Sequence, residues 1–420
     1  MNLKKEIIEI ARQAKIASRA LCSLKSKAKN AALKQMAKNL IKSKSFILKA
    51  NEKDLRKAKK SGLKVSFVDR LKLNEKRIID MADSVASVAR LEDPVGIMER
   101  LTKRPNGLLI GKVRVPIGVI CVIYESRPNV TADCIGLCLK SGNSVILRGG
   151  SEAMNSNIAI FDVLNRAAAK MNLPKNAINM VKTPDRKAVD ALLGAEGLID
   201  VIIPRGGESL IREVTRKSRI PVIKHYKGVC HVYVDEDADL NMAESIAFNA
   251  KVQRPGVCNA METLLVHRDV AVRFLPSLAK KLIDAGVQLR GCALTKRILR
   301  NRTIKKAKES DWPKEYLELI LSVKVVNNLK EAIDHISKYG TSHSDAIVTE
   351  NHERAMEFLE KVDSSSVYVN ASTRFTDGYE FGKGAEIGIS TDKLHARGPM
   401  GLEELTTYKY VIFGNGQIRK

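Results

Sequence analysis

The sequence predicts an α/β protein built on parallel sheets, and three observations predict it. The first ~95 residues carry helical apolar spacing. The hydrophobic period then changes near Arg104, and from Ile117 strands and helices alternate. No Pro- or Ser-rich tether interrupts the chain, so its domains share an interface rather than hang on a linker.

In order, Ile7, Ile8, Ala11, Ala14 and Ile16 form one apolar stripe, and Phe46, Ile47, Ala50, Leu55 and Ala58 another. The basic stretch between them keeps Ala32, Leu33, Met36, Leu40 and Ile41 at helical spacing and reads as an amphipathic helix with a solvated face. Pro105-Asn106-Gly107 is a turn into a strand that ends at Pro116, so residues 103–117 form a ribbon. Strands at Ile117–Tyr124, Ser144–Leu147, Ala177–Val181, Val201–Ile203 and Pro221–Ile223 alternate with helices at Ala132–Lys140, Ala153–Met171, Arg186–Leu193 and Leu210–Thr215. This order gives a parallel sheet, which takes ligands at the carboxyl ends of its strands.

A second unit begins at Gly228. It has strands at Val232–Val234, Thr263–Val266, Ala346–Val348 and Val367–Val369, and helices at Leu240–Ala250, Val270–Ala285 and Glu353–Lys361. The expected domains are residues 1–227, residues 228–390 with Cys258, and a C-terminal segment 391–420 that returns to the first domain and an oligomer interface.

Composition narrows the function classes. No apolar run reaches the ~20 residues that span a bilayer, and the charged residues of the first turns exclude an apolar signal core. Seven scattered cysteines without a CxxC pair argue for a reducing, cytoplasmic setting rather than a disulfide framework. Cys134 and Cys138, four apart on one helix, read as core, and no metal site is expected. The net charge of +25 raises nucleic-acid binding, but the cations are dispersed, aromatics are 5%, and no nucleic-acid motif appears. A basic surface also suits anionic small-molecule substrates.

Cys258 lies in Gln253-Arg-Pro-Gly-Val-Cys-Asn-Ala260, between a helix and a strand. Pro255 and Gly256 bend the backbone before it, and Arg254 is a neighbouring cation; both favour a thiolate nucleophile. By composition alone an inert buried cysteine is the commoner case. Gly206 and Gly207 open a helix at a strand end, where N–H groups meet phosphate; the alternative is a plain tight turn.

Longer segments carry more information. They are Pro116-Ile-Gly-Val-Ile-Cys-Val-Ile-Tyr-Glu-Ser-Arg-Pro-Asn-Val130, Lys140-Ser-Gly-Asn-Ser-Val-Ile-Leu-Arg-Gly-Gly-Ser151, Val201-Ile-Ile-Pro-Arg-Gly-Gly207, Arg254 to Thr263, Val367 to Gly378 and Leu394 to Lys409. Through them the chain resembles the aldehyde dehydrogenase superfamily, in the branch that acts on acyl phosphates, over nearly its whole length.

The resemblance implies a Rossmann-like cofactor domain, a related catalytic domain carrying the cysteine, and a small oligomerisation flap. It implies NADPH-dependent reduction of L-glutamate 5-phosphate to L-glutamate 5-semialdehyde, the second step of proline biosynthesis, through a Cys258 thioester. It puts Ser126 where relatives place an oxyanion donor, with Asn129 as alternative, and His225 where thioester-hydrolysing relatives keep a glutamate. It puts Arg148 and Ser151 at the ribose, where the absence of a carboxylate at 151 favours the 2′-phosphate of NADP(H), and Glu315 at a second ribose contact. Arg127, Arg254, Arg374 and Arg397 lie in matching segments as cations for the substrate carboxylate and phosphate. Asn370 and Ser372 follow a strand end as polar contacts to the substrate amine. A homo-oligomer is expected, with the upstream glutamate 5-kinase as a candidate partner. The alternatives at this stage are an acyl-CoA or plain aldehyde enzyme of the same superfamily, and a non-catalytic basic scaffold.

Overall fold

The computed structural model describes residues 2–63 and 65–419. The chain divides into two compact units. The first comprises Met1–Lys224, Gly382–Gly388 and Pro399–Lys420, and the second His225–Phe381 and Ile389–Gly398. The first boundary falls three residues before the expected 227/228, and residues 389–398 belong to the second unit.

The first unit begins with helices Leu3–Leu21, Ser26–Lys42, Lys44–Lys60 and Glu75–Arg90. Asn2 and Asn74 cap two of them by accepting the N–H of Lys4 and Arg77. The buried faces are Ile7, Ala11, Ala14 and Leu21 on the first helix and Leu33, Met36 and Leu40 on the second. Ile16, Ile41 and Phe46 were expected on such stripes but are exposed. Ile16 lies nine residues from Ile7, half a turn round the helix from the buried line.

Six strands follow: β1 (Met98–Lys103), β2 (Leu109–Pro116), β3 (Val119–Tyr124), β4 (Ser144–Gly149), β5 (Ile178–Met180) and β6 (Val201–Arg205). β3 to β6 form a parallel sheet in the order β5-β4-β3-β6. Every residue of β3 is buried, as a strand covered on both faces must be. Cys121, Cys134 and Cys138 are buried in this unit, as core residues. The expected strand Pro221–Ile223 is only a bridge between Ile202 and Val222. Pro221 has no N–H to extend the ladder. In the segment expected as a ribbon, β2 pairs antiparallel with β1 and, from Pro116 to Leu109, with strand Thr406–Phe413.

The second unit holds a seven-stranded sheet of β7 (Cys230–Val234), β8 (Met261–His267), β9 (Gln288–Gly291), β10 (Lys305–Lys306), β11 (Ile320–Val326), β12 (Ser344–Val348) and β13 (Ser366–Val369). All pairings are parallel, in the order β10-β9-β11-β8-β7-β12-β13. β9, β10 and β11 were not anticipated. The apolar run Ile320-Leu-Ser-Val-Lys-Val-Val326 carried a strand signal; the two-residue β10 carried none. Helices Leu240–Val252 and Arg268–Asp284 pack Ala243, Ala247, Phe274 and Leu278 against Val232, Leu264 and Val323. Each large aliphatic side chain so buried contributes roughly 1.5–3 kcal/mol. No helix among the described residues is long and apolar enough to cross a membrane.

Candidate active site

Cys258 sits on the turn between helix Leu240–Val252 and β8. A segment that joins a helix to the next parallel strand must lie at that strand's amino end. The thiol therefore stands at the amino ends of the second unit's sheet, not at the carboxyl ends expected for ligands. Gly228 before β7, Glu315 and Leu317 before β11, and His343 before β12 lie at the same edge.

The turn is braced from several sides. The Cys258 carbonyl accepts the Cys230 thiol at 3.2 Å. It also packs against Gly228 so closely that a Cβ there would lie 1.7 Å from the oxygen. The Gly228 N–H donates to Glu315 Oε1 at 2.8 Å, so Glu315 holds this turn rather than standing open for a ribose. Asn259, next to the thiol, donates to the carbonyls of Arg374 (3.2 Å) and Thr376 (2.9 Å), and its own carbonyl accepts Thr373 Oγ1 at 2.7 Å. Arg374 donates to Asn259 Oδ1 and, at 2.9 Å, to Gln253 Oε1. Burial and the nearby charge of Arg254 lower its pKa, while the Cys258 sulfur opposes that shift. Cys258, Arg254 and Arg374 are thus brought together.

Two imidazoles flank the thiol. One ligating atom from each of His225, Cys258 and His343 lies within 4.8 Å of the others. The two rings meet edge to face at 5.7 Å. The sequence reading missed His343, because it lies 85 residues beyond Cys258 and only the pairing of β12 with β7 delivers it. Cys230 also reaches this group, its sulfur 3.8 Å from His343 Nδ1, while the remaining cysteines are set apart from it. Burial pushes the thiols of Cys121 (to about 12), Cys134, Cys138 and Cys230 upward. Cys292 caps helix Ala293–Leu299, and Cys22 is exposed.

Beneath the turn, Lys251 and Glu262 are fully buried and joined at 2.6 Å, closing the excursion 252–261 that carries Cys258. Glu262 also accepts the Leu317 N–H at 3.1 Å. Burial raises the Glu262 carboxyl to about 7 despite the attraction of Lys251, and it lowers the Lys251 pKa. Desolvation therefore outweighs the pairing for both groups. Lys251→Met is expected to cost about 3–5 kcal/mol above neutral pH, where it strands a buried carboxylate. Because the folded pKa of Glu262 lies above its unfolded value, its contribution is present below pH ~4.5 and lost as pH rises toward 7 and beyond. The deficit of the variant should accordingly shrink between pH 8 and 5, as read from denaturant unfolding. A deficit independent of pH would show that the carboxyl does not titrate in this range.

The remaining expected substrate contacts in this unit are occupied elsewhere. Asn370 bonds the Thr349 N–H and carbonyl at the carboxyl end of β12, the opposite edge of the sheet from Cys258. Ser372 accepts the Arg374 N–H at 3.3 Å. Arg397 bonds the carboxylate and carbonyl of Asp363 at 2.6 and 2.7 Å.

In the first unit the strand order reverses between β3 and β6, a switch point that marks the ligand crevice of a doubly wound sheet. Glu125, Ser126 and Arg127 leave β3 there, and Gly206 and Gly207 leave β6 to open helix Glu208–Lys217. The Gly207 N–H, expected at a phosphate, donates to Glu125 at 2.8 Å, and a Cβ on Gly206 would lie 2.3 Å from the same carboxylate. Ser126 has left-handed backbone (φ 47°), and its N–H and hydroxyl both donate to Glu152, at 2.7 and 2.9 Å. Asn129 is exposed and donates to Asp133 at 3.0 Å. Arg127 is half-buried at the same turn. Arg148 donates to the Pro184 carbonyl at 3.0 Å, while its buried Nε has no protein partner; Ser151 is exposed two residues past β4. An unsatisfied guanidinium donor at the carboxyl end of a central strand fits an anionic nucleotide group.

The sequence model of the aldehyde dehydrogenase family matches residues 2–289. The chain is 61% identical over 410 residues to a gamma-glutamyl phosphate reductase of Caldanaerobacter subterraneus subsp. tengcongensis, covering 98% of this chain and 99% of that one. This chain belongs to the aldehyde dehydrogenase family, in its gamma-glutamyl phosphate reductase branch. As a member of that family it is an oxidoreductase. A second relative of the same description, from Thermodesulfovibrio yellowstonii, is 56% identical over the full length of both chains. The crystal structure of the gamma-glutamyl phosphate reductase of Thermotoga maritima superposes with a TM-score of 0.96 at 47% identity, over 99% of this chain and 100% of that one. An acetylating aldehyde dehydrogenase of Geobacillus thermoglucosidasius shares the family fold at TM-score 0.72 and 16% identity, over 100% of this chain and 98% of that one.

Proposed function

We propose that this chain reduces L-glutamate 5-phosphate to L-glutamate 5-semialdehyde with NADPH, releasing phosphate, through a thioester on Cys258; this is the second step of proline biosynthesis. The observation that carries the reading is the half-exposed thiol beside two imidazoles, with the Arg374 guanidinium in electrostatic reach, on a braced turn. The names of the relatives supply the substrate.

His225 bonds the Ile389 carbonyl through Nδ1 at 2.8 Å, so that nitrogen carries the proton and Nε2 is left as the base. It is the group we assign to take the Cys258 proton. The sulfur then attacks the acyl carbon and phosphate leaves. Arg254 and Arg374 neutralise the phosphate as it departs. The backbone N–H of Cys258 receives the oxyanion. Having taken the thiol proton, His225 is an imidazolium and has no lone pair with which to activate water, so the thioester waits for the reductant. A bound NADPH would supply hydride to the thioester carbon, and breaking the carbon–sulfur bond of the resulting thiohemiacetal would release the aldehyde and return the Cys258 thiolate. Arg148 and Ser151 are the residues we assign to its ribose phosphate, and the Gly206–Gly207 turn to its diphosphate once Glu125 yields the Gly207 N–H. Ser126 can serve the oxyanion only by exchanging its bond to Glu152. The ribbon strand Thr406–Phe413 exposes Tyr408, Tyr410 and Ile412 on one side, an apolar face suited to a second copy of the chain.

The test is the reverse reaction. Glutamate 5-semialdehyde should reduce NADP only when inorganic phosphate is present, and faster than it reduces NAD. Turnover without phosphate, or with coenzyme A in its place, would turn the reading toward another acyl chemistry.

A further inference from the structure

We propose that His225, Cys258 and His343 form a site for a borderline-soft divalent cation, Zn²⁺ in first place, which shuts the enzyme off reversibly. One thiol and two imidazoles are the donor set that such ions favour over the oxygen-loving Mg²⁺ and Ca²⁺. The three donor atoms already lie within 4.8 Å of one another. Around Zn²⁺, with bonds of about 2.0–2.3 Å, tetrahedral donors stand roughly 3.3–3.7 Å apart, so each donor closes in by less than about 1 Å. With the turn's backbone fixed, rotation of the short Cys258 side chain about its own bonds is the movement that closes this distance.

The outer contacts are also those of a metal site. The Ile389 carbonyl can only accept, so it fixes the His225 proton on Nδ1 and presents Nε2 as a lone pair. His343 Nδ1 lies 2.9 Å from Ser344 Oγ, which is held in turn by Thr376 Oγ1 at 2.6 Å. Oxygen atoms that orient the second ring nitrogen are the usual support of histidine ligands. Three protein ligands leave a fourth position open, and the nearby guanidiniums of Arg254 and Arg374 favour an anion there. Binding releases the thiol proton and engages the sulfur lone pair, so the bound ion and the acyl substrate exclude each other. The inference stands on these three side chains and not on the identity of the substrate.

The test uses the full-length protein with Zn²⁺ buffered by a chromophoric chelator, and Co²⁺ as the spectroscopic probe. One Co²⁺ per chain should give the visible bands of a tetrahedral site and a near-ultraviolet thiolate-to-cobalt band. Cys258→Ser should lose the thiolate band. His225→Ala and His343→Ala should each weaken Zn²⁺ binding by at least ~10–100-fold, the loss that removal of a supporting group alone causes. His343 is fully buried, so His225→Ala is the deciding variant if the other does not fold. Zn²⁺ affinity unchanged in His225→Ala, or Co²⁺ bound without a thiolate band, would overturn the proposal. Either result leaves the reductase assay, and the reading tested by it, untouched.

Discussion

Cys258→Ser is expected to lower phosphate-dependent NADP reduction by at least ~10⁴-fold, the scale of loss when a covalent nucleophile is removed. An alcohol at this position would have to ionise far above neutral pH, and it would form an ester in place of a reactive thioester. The fold should survive. The side chain is only half-buried, and the turn is held by its backbone carbonyl and by Asn259, not by the sulfur. Thermal unfolding should therefore shift by no more than a surface substitution does, about ±0.5 kcal/mol. A variant that kept most of its rate would remove the thioester from the mechanism.

Gly228→Ala is expected to be nearly as damaging, although residue 228 carries no reactive group. The new methyl carbon would meet the Cys258 carbonyl oxygen at 1.7 Å, and the backbone of one turn or the other must shift by more than about 1 Å to restore contact distance. Both turns are held, the Gly228 turn by Glu315 and the thiol turn by Asn259, so the movement is shared and reaches the thiol. Misplacing a nucleophile by about 1 Å costs on the order of 10²-fold in rate. The strain itself should cost about 1–3 kcal/mol of stability. The two effects separate experimentally: kcat falls, and the alkylation rate of Cys258 changes, in protein still folded at the assay temperature. Wild-type kcat in a folded variant would show that the contact does not set the position of the thiol.

These two residues illustrate how differently the sequence exposes a site. Cys258 stands in a segment long enough to resemble a family. Gly228 stands in Val222-Ile-Lys-His-Tyr-Lys-Gly228 beside His225, yet nothing local says that its missing side chain makes room for another turn. The buried pair Lys251–Glu262 reads in sequence as two ordinary charges near the end of a helix and the start of a strand. Only the closure of the turn brings them to 2.6 Å and strips both of water. The reverse also occurs: Arg397 and Asn370 lie in recognisable segments, but the fold engages the first with Asp363 and the second with Thr349.

What the sequence determined by itself is whatever depends on neighbours along the chain. Apolar periodicity set the helices and most strands, their alternation set parallel sheets, and the residues between Leu240–Ala250 and Thr263–Val266 placed the thiol on a turn. What only the tertiary structure decided is which distant segments meet. The order of β7, β8, β11 and β12 brings Gly228, Cys258, Glu315 and His343 to one edge of one sheet. That order is fixed by the burial of whole strands against helices far away in sequence, a long-range term that no local pattern of residues contains.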